Sequence, residues 1–366
     1  MKKEHILVIR FSAMGDVAMT VPVIQSLAEQ YPDLRITMLS QKFARPFFEY
    51  MPHNVGFMEA DLKNEYHGVK GLNALYRRLM AKNFTAIADL HSVLRSRYLR
   101  MRFNIDRFKV AHIDKHRNLR HQLTAQTGKR LEQLPTSFQN YADVFAALGY
   151  PVDIRFKSIF PEGKGDLATL PEAFQVRGKD EPWIGVAPFA AHKGKIYPAA
   201  QMEQTLGIIA GRHPGSRIFL FGGGKEENRI MQEWTSRNDR LENASAQLGG
   251  IRDELVLMSH LDVMVSMDSS NMHLASLVGT PVVSVWGATH PFTGFMGWGQ
   301  NPDNAVMVDM PCRPCSIYGN KPCIRGNYPC LTGIAPEMIA DRVEFQLHKG
   351  RKGNEETKFG GRRESQ

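Results

Sequence analysis

The sequence of 366 residues has no apolar run long enough to cross a bilayer. Its longest stretches, such as Leu274 to Trp286, are broken by Gly279 and Pro281 and fall short of the roughly 20 residues a spanning helix needs. It opens without a secretory signal, because Ile6 to Ile9 is a four-residue apolar run stopped by Arg10, where a signal peptide carries about 7 to 15. The expected location is the cytoplasm. Charged residues are few, at 23%, beside 43% hydrophobic residues that include 20 Phe, 10 Tyr and 4 Trp. That balance excludes a wholly disordered chain, since enough apolar surface is available to offset chain entropy. Cysteine is scarcer still, and all four lie between Cys312 and Cys330. At ~150 residues per domain, the length predicts two domains.

Acidic residues are nearly missing from one stretch. Between His91 and Arg130 stand eleven basic residues and, on the acidic side, only Asp106 and Asp114, a net of +9. The whole chain, with 46 Lys and Arg against 37 Asp and Glu, also carries +9, so the remainder is neutral. A single basic face for an anionic partner follows more readily than a chain that coats nucleic acid. The bland alternative is a solvated Arg-rich helix from Ser92 to Arg102 and the loop after it.

Short β-branched runs alternate with helix-length amphipathic segments, the pattern of βαβ units around a parallel sheet. Strands are predicted at His5 to Ile9, Arg35 to Leu39, Phe84 to Asp89 and Phe108 to Ala111, with helices from about Val17 to Tyr31 and from Phe138 to Leu148. From Phe160 to Pro182 the period is lost and proline, glycine and charge increase, as in a linker. The pattern then restarts with strands at Trp183 to Ala187, Arg217 to Phe221, Asp262 to Met267 and Pro281 to Trp286, and helices at Pro198 to Arg212 and Glu226 to Arg237. The expected fold is α/β, with two doubly wound, Rossmann-like domains facing a cleft: residues 1–160, a linker 161–182, residues 183–348, and a disordered tail 349–366.

Ligands of such sheets sit beyond the carboxyl ends of strands, so the loops there carry the search. In Arg10-Phe11-Ser12-Ala13-Met14-Gly15-Asp16, Gly15 allows a tight turn and Asp16 opens a helix; its carboxylate is a general base or an N-cap. Lys193 and Lys195, between a strand and a helix, suit phosphate, or are two exposed loop lysines. Gly222-Gly223-Gly224-Lys225-Glu226 is a glycine-rich turn without the ending of a Walker loop or the spacing of a dinucleotide fingerprint. In Asp268-Ser269-Ser270-Asn271-Met272-His273, capping residues precede a short helix whose first amides and dipole suit a diphosphate. His273 is a phosphate contact or a packed core histidine.

Taken together and in order, these loops resemble the ADP-heptose:lipopolysaccharide heptosyltransferases, glycosyltransferase family 9. The resemblance rests on Arg10-x4-Gly15-Asp16 followed by Pro22, Lys195-x-Tyr-Pro, the glycine turn with Glu226, and Asp268-Ser-Ser-x-x-His273 leading to Gly279-Thr-Pro281 and Trp286-Gly287. It spans nearly the whole chain to about residue 345 and implies a GT-B fold. It further implies an inverting, metal-independent transfer of heptose from ADP-heptose to the inner core of lipopolysaccharide or lipooligosaccharide. The resemblance makes Asp16 the base and Lys195 the cation that neutralises the departing diphosphate. Glu226 then holds the ribose, and Asp268, Ser269, Ser270 and His273 form the nucleotide and phosphate floor. The acceptor it implies is an anionic lipid A–core molecule, for which Arg95, Arg97, Arg100, Lys115, Arg117 and Arg120 are the candidates, with a peripheral contact to the inner membrane and none to nucleic acid. Ala190 and Ala191 stand where the family often has Thr-Thr, and Ser270 replaces a common glycine; a family-related enzyme using another nucleotide sugar or surface-glycan acceptor is the alternative.

The four cysteines form Cys312-x2-Cys315-x7-Cys323-x6-Cys330, a spacing that suits structural zinc, reduced thiols or disulfides, the last disfavoured in a reducing compartment. A non-enzymatic RNA-binding protein could use the basic stretch with Tyr98, Phe103 and Phe108. It gives no reason for Asp16, Lys195, Glu226 and Asp268 to follow strands.

Overall fold

The computed structural model describes the backbone of residues 4–360 and the side chains of residues 4–349. It divides into two compact units, Met1–Asn118 with Leu134–Gly163, and Leu119–Gln133 with Lys164–Gln366.

The first unit runs β1 (His5–Ile9), α1 (Met14–Ala18), α2 (Val21–Gln30), β2 (Arg35–Ser40), β3 (Val55–Glu59), α3 (Gly68–Met80), β4 (Ala86–Asp89), α4 (Leu94–Ile105), β5 (Lys109–His112), the start of α5 (Arg117–Leu123), and α6 (Ser137–Ala147). All five strands are parallel, in the order β3-β2-β1-β4-β5. Every residue of β1, His-Ile-Leu-Val-Ile, is buried, as a central parallel strand covered on both faces requires. In register, Ile9 lies opposite both Leu39 and Asp89, so β1, β2 and β4 end level and their following loops emerge side by side. Leu7, Ile9 and Leu39 pack one sheet face against Leu75 and Leu79 of α3 and Leu99 and Phe103 of α4.

The second unit runs β6 (Trp183–Ala187), α7 (Ala199–Arg212), β7 (Arg217–Leu220), α8 (Lys225–Arg237), β8 (Leu241–Asn243), α9 (Ala244–Gln247), α10 (Ile251–Met258), β9 (Val263–Met267), α11 (Ser270–Leu277), β10 (Val282–Val285), β11 (Ala305–Val306), α12 (Pro329–Thr332) and α13 (Pro336–Gly360). Its six strands are also all parallel, ordered β11-β10-β9-β6-β7-β8. Ile339, Val343 and Leu347 of α13 join Met202, Leu206 and Ile209 of α7 in the core over one face.

Most predicted elements lie within two residues of their expected bounds. The helix expected over Val17 to Tyr31 is two helices, and Pro22 falls in the first turn of the second, where its missing N–H costs nothing. Of segment 161–182, expected as a linker, residues 164–182 group with the second unit and bury Leu170 and Phe174, and Arg177 donates to the carbonyls of Glu181 and His260. Residues 119–133, expected in the first domain, also group with the second unit. The expected tail is helical backbone as far as Gly360 in α13, and its residues 361–366 lie outside the described ones.

Candidate active site

In the first unit the strand order reverses between β1 and β4, the place where a doubly wound sheet opens a crevice. Arg10 follows β1 directly. Its buried guanidinium donates to the Leu90 carbonyl at 2.7 Å and pairs with Asp16 Oδ2 at 2.6 Å. Asp16 is the third residue of α1 and accepts the Ala13 N–H at 3.2 Å. The N-cap of α1 is Ala13, not Asp16; the Asp16 carboxylate reaches back to the N–H of that cap residue and is held in orientation by the Arg10 cation. At the end of β4, wholly buried Asp89 accepts the N–H groups of His91 and Ser92 at 3.0 and 2.8 Å and faces Arg100 at 3.3 Å. His91 Nδ1 accepts the Phe11 N–H at 3.4 Å, which leaves the ring proton on Nε2. Burial, then the Arg10 and Lys115 charges, push the His91 pKa down to about 3, so this ring is neutral at physiological pH.

The second unit reverses its strand order between β6 and β9, and the loops leaving those two strands meet. Lys195 lies in a single 3-10 turn, Lys193–Lys195, after β6; Asp268 is the first residue beyond β9. Lys195 Nζ stands 2.9 Å from Asp268 Oδ2, off the hydrogen-bonding direction, so the contact is Coulombic. With exposures of 14% and 3%, the pair is poorly screened by water. The α11 helix starts next to it. Its N-cap, Ser269, is fully extended and closes no hydrogen bond to the first turn, so the opening N–H groups and the dipole offer a site for an anion. His273, in that helix, is buried.

Ser245 and Glu227 organise the glycine turn after β7. The Gly222 N–H donates to Ser245 Oγ at 3.1 Å and the Gly223 N–H to Glu227 Oε2 at 2.7 Å. Glu226 is exposed and pairs with Arg229 at 2.7 Å, a hydrogen bond that lowers its carboxyl pKa.

Three residues that hold Lys195 escaped the sequence reading. The Gly194 N–H donates to the Gly319 carbonyl at 3.2 Å, and the Gly194 carbonyl accepts the Ala288 N–H at 2.8 Å. A Cβ on Gly194 would lie 2.7 Å from the Gly319 oxygen, and one on Gly319 would lie 2.6 Å from Lys195 Cγ. Arg313, buried, donates to the carbonyls of Trp286, Gly287 and Thr289 at 3.1, 2.6 and 3.0 Å and so fixes the loop that carries Ala288. A glycine between two lysines was the available signal; Arg313 gave none.

The basic stretch is divided between the two units. Arg95 and Arg97 are exposed on α4, Arg100 turns to Asp89, and Lys115 Nζ donates to the Ser92 carbonyl at 3.3 Å. Arg117 is exposed at the start of α5. Arg120 belongs to the second unit, where it lies over the rings of Phe295 and Tyr318 and donates to the Tyr318 hydroxyl at 2.8 Å. Lys129 likewise donates to the carbonyls of Cys312 and Pro314. The cysteines are free thiols; Cys315 Sγ turns to the Ala288 carbonyl at 3.8 Å, and Cys330 is buried in α12. Among the described residues no group of three or more His, Cys, Asp or Glu is placed to hold a metal ion, so the zinc reading of the spacing gains no support.

The chain is similar to known proteins over most of its length. The sequence model of glycosyltransferase family 9 (heptosyltransferase) matches residues 72–323. The lipopolysaccharide core heptosyltransferase OpsX of Haemophilus influenzae is 22% identical over 309 residues, covering 83% of this chain and 84% of the relative. The family 9 glycosyl transferase of Veillonella parvula shares the fold with a TM-score of 0.71 at 18% identity, over 95% of this chain and 98% of that one. The Escherichia coli heptosyltransferase WaaC, solved with ADP, gives 0.66 at 17% identity, over 93% and 99%. With the family model covering more than half its length, the chain belongs to glycosyltransferase family 9, the heptosyltransferase family.

Proposed function

We propose that the protein is an inverting GT-B glycosyltransferase that moves heptose from ADP-heptose to the inner core of lipopolysaccharide or lipooligosaccharide. The observation that carries this reading is the Lys195–Asp268 pair beside the open start of α11, at the strand-order reversal of its unit. Such a place suits the diphosphate of a nucleotide sugar. In the reaction, the Asp16 carboxylate takes the proton of an acceptor hydroxyl. That oxygen forms a bond to the anomeric carbon while the bond from this carbon to the diphosphate oxygen breaks, and ADP leaves with the electron pair. Lys195 meets the charge that grows on the leaving oxygen, an interaction stronger in the transition state than before it.

Asp268, Ser269, Ser270 and His273 would line the nucleotide and phosphate floor, and Glu226 would hold the ribose once it exchanges Arg229 for it. Arg95, Arg97, Arg100, Lys115, Arg117 and Arg120 would meet the acidic groups of the acceptor, Arg120 from the second unit. No step calls for a metal or for nucleic acid. The protein would work in the cytoplasm, at the inner face of the membrane that displays the lipid-linked acceptor; among the described residues no helix is long and apolar enough to cross it.

The alternative donor keeps its specific support. Ala190, partly buried against the core of its unit, offers a methyl group where a hydroxyl could contact phosphate. Calorimetric titration with ADP, GDP, UDP and CDP at one salt concentration separates the readings. Tight binding of ADP alone, followed by mass-spectrometric detection of heptose on a lipid A–core acceptor, supports the heptosyltransferase; preference for UDP or GDP overturns the donor and keeps the mechanism.

A further inference from the structure

Helix α4 is apolar on two opposite faces. Ser96, Leu99 and Phe103 turn inward and are buried. Leu94, Met101 and Ile105 turn outward, with 86%, 48% and 66% of their surface exposed. Spaced by seven and four residues, they fall on one line along the helix. Arg97 borders that line on one side; Arg95 and Arg102 border it on the other, Arg102 lying over the Tyr76 ring at 4.5 Å. From Leu94 to Arg107 the sequence holds five arginines and a single acid, Asp106, whose carboxylate is engaged by the Tyr76 hydroxyl.

A row of large aliphatic side chains in water is unfavourable, and a helix that kept only a solubilising face would carry none of the three. An aliphatic line with guanidinium groups on both flanks has the layout of a helix that lies in the plane of a lipid surface: the aliphatics reach the acyl boundary while the arginines stay level with the phosphates. The arginine flanks fix the sign of the partner as negative. Nucleic acid fits this face poorly, because Tyr98, the ring nearest the line, is half-buried and its hydroxyl is bound to Asn73 Oδ1 at 2.8 Å, while Phe103 faces the core. No aromatic ring stands ready for base stacking.

We infer that the outer face of α4, through Leu94, Met101 and Ile105 with Arg95, Arg97 and Arg102, docks the protein in plane on a bilayer rich in anionic phospholipid. The docking deepens the proposed membrane contact and rests on that reading for its purpose alone. The helix begins directly after His91, Ser92 and Val93, and β1 and β4 end level, so the docked face lies in the same unit as the loop that presents Asp16. A lipid-linked hydroxyl would then be brought to the unit that carries the Asp16 carboxylate.

The test is co-sedimentation of the full chain with vesicles of phosphatidylcholine alone and of phosphatidylcholine mixed with phosphatidylglycerol, without donor or acceptor. Wild type is expected to bind the mixed vesicles, and the triple variant Leu94→Ser/Met101→Ser/Ile105→Ser to bind them at least roughly tenfold more weakly, with unchanged circular dichroism. On a delipidated core acceptor in solution the triple variant is expected to keep wild-type turnover; on acceptor embedded in mixed vesicles it loses it. Equal vesicle binding by the two proteins overturns the inference, as does binding of mixed-sequence RNA in place of vesicles. Transfer to the soluble acceptor without vesicle binding would sink the docking face and spare the enzyme; vesicle binding without transfer from ADP-heptose would do the reverse.

Discussion

Replacing Gly319 by alanine probes the least expected part of the site. Gly319 has φ of +72°, a left-handed backbone that costs an L-residue about 1–2 kcal/mol. Its new Cβ would lie 2.6 Å from Lys195 Cγ and 3.3 Å from Cδ and Cε, so the stem of the lysine must move. Lys195 Nζ sits 2.9 Å from Asp268, and a displacement of about 1 Å at a positioned group costs on the order of 10²-fold in rate. Gly326 provides the control: it lies in the same segment at φ +94°, with nothing within 4 Å of an added Cβ. Gly326→Ala therefore carries the backbone cost without the collision. Both variants should melt a few degrees lower, at roughly 2–4 °C per kcal/mol for a unit of this size. In a heptose-transfer assay read by mass spectrometry, kcat should fall about a hundredfold for Gly319→Ala and stay within a few-fold of wild type for Gly326→Ala. Equal kcat in the two variants would refute the claim that the glycine is there to clear space for Lys195.

Asp16→Asn, which keeps the shape but not the basicity, should reduce transfer by about 10²–10⁴-fold and leave ADP affinity by calorimetry unchanged; near-normal turnover would remove Asp16 from the base role. Arg313→Met leaves three buried carbonyls without their donor, and should cost at least ~3 kcal/mol in denaturant unfolding. His91 and His290 should make stability fall in acid. Burial, aided by Arg10 beside the first and Arg313 beside the second, lowers their folded pKa values to about 3 and about 4, while the unfolded chain takes up a proton near 6.5. Unfolding therefore gains protons between these limits, so the contribution is whole above pH 6.5 and declines as the pH drops toward 4 and then 3. Melting curves of wild type and His91→Gln/His290→Gln running parallel across that window would disprove it.

Strands were readable where burial on both faces left short runs without an acid, lysine or arginine, as in His5–Ile9 and Trp183–Ala187, both of which match to the residue. The edge strand β3, Val-Gly-Phe-Met-Glu, was not, because one side of it is open and Gly56 interrupts its pattern. Helix α3 was missed for a related reason: Gly68 and Gly71 dilute its opening turn, yet Gly71 is required there, since a Cβ would lie 2.3 Å from the Tyr66 carbonyl carbon. Charge in sequence does not show which side chains are engaged within the fold: Arg100 faces Asp89, and the chain beyond Asn118 groups with the second unit, where Arg120 and Lys129 find their partners.

The candidate site was legible to the extent that its residues lie in the loops and first helical turns that follow strands, and illegible where a partner arrives from another strand. Asp16 and Lys195 stand out in sequence because glycines and helix starts surround them. Arg10 opens the motif Arg10-x4-Gly15-Asp16, but the linear reading assigns it no role; its 2.6 Å pairing with Asp16 appears only in the fold. His91 is 80 residues from Phe11, the N–H it accepts, and the two meet only because β4 lies beside β1 in parallel register. Strand order is thus the missing information: once β1 and β4 are known to flank the reversal, the end of each strand and the loop and first helical turn after it become a single search set, and Arg10, Asp16, Asp89 and His91 all fall inside it. The same rule applied to β6 and β9 selects Lys195 and Asp268. Gly319 and Arg313 escape it, because they belong to a segment that follows the sheet and folds back over Lys195, and only atomic contact reveals them.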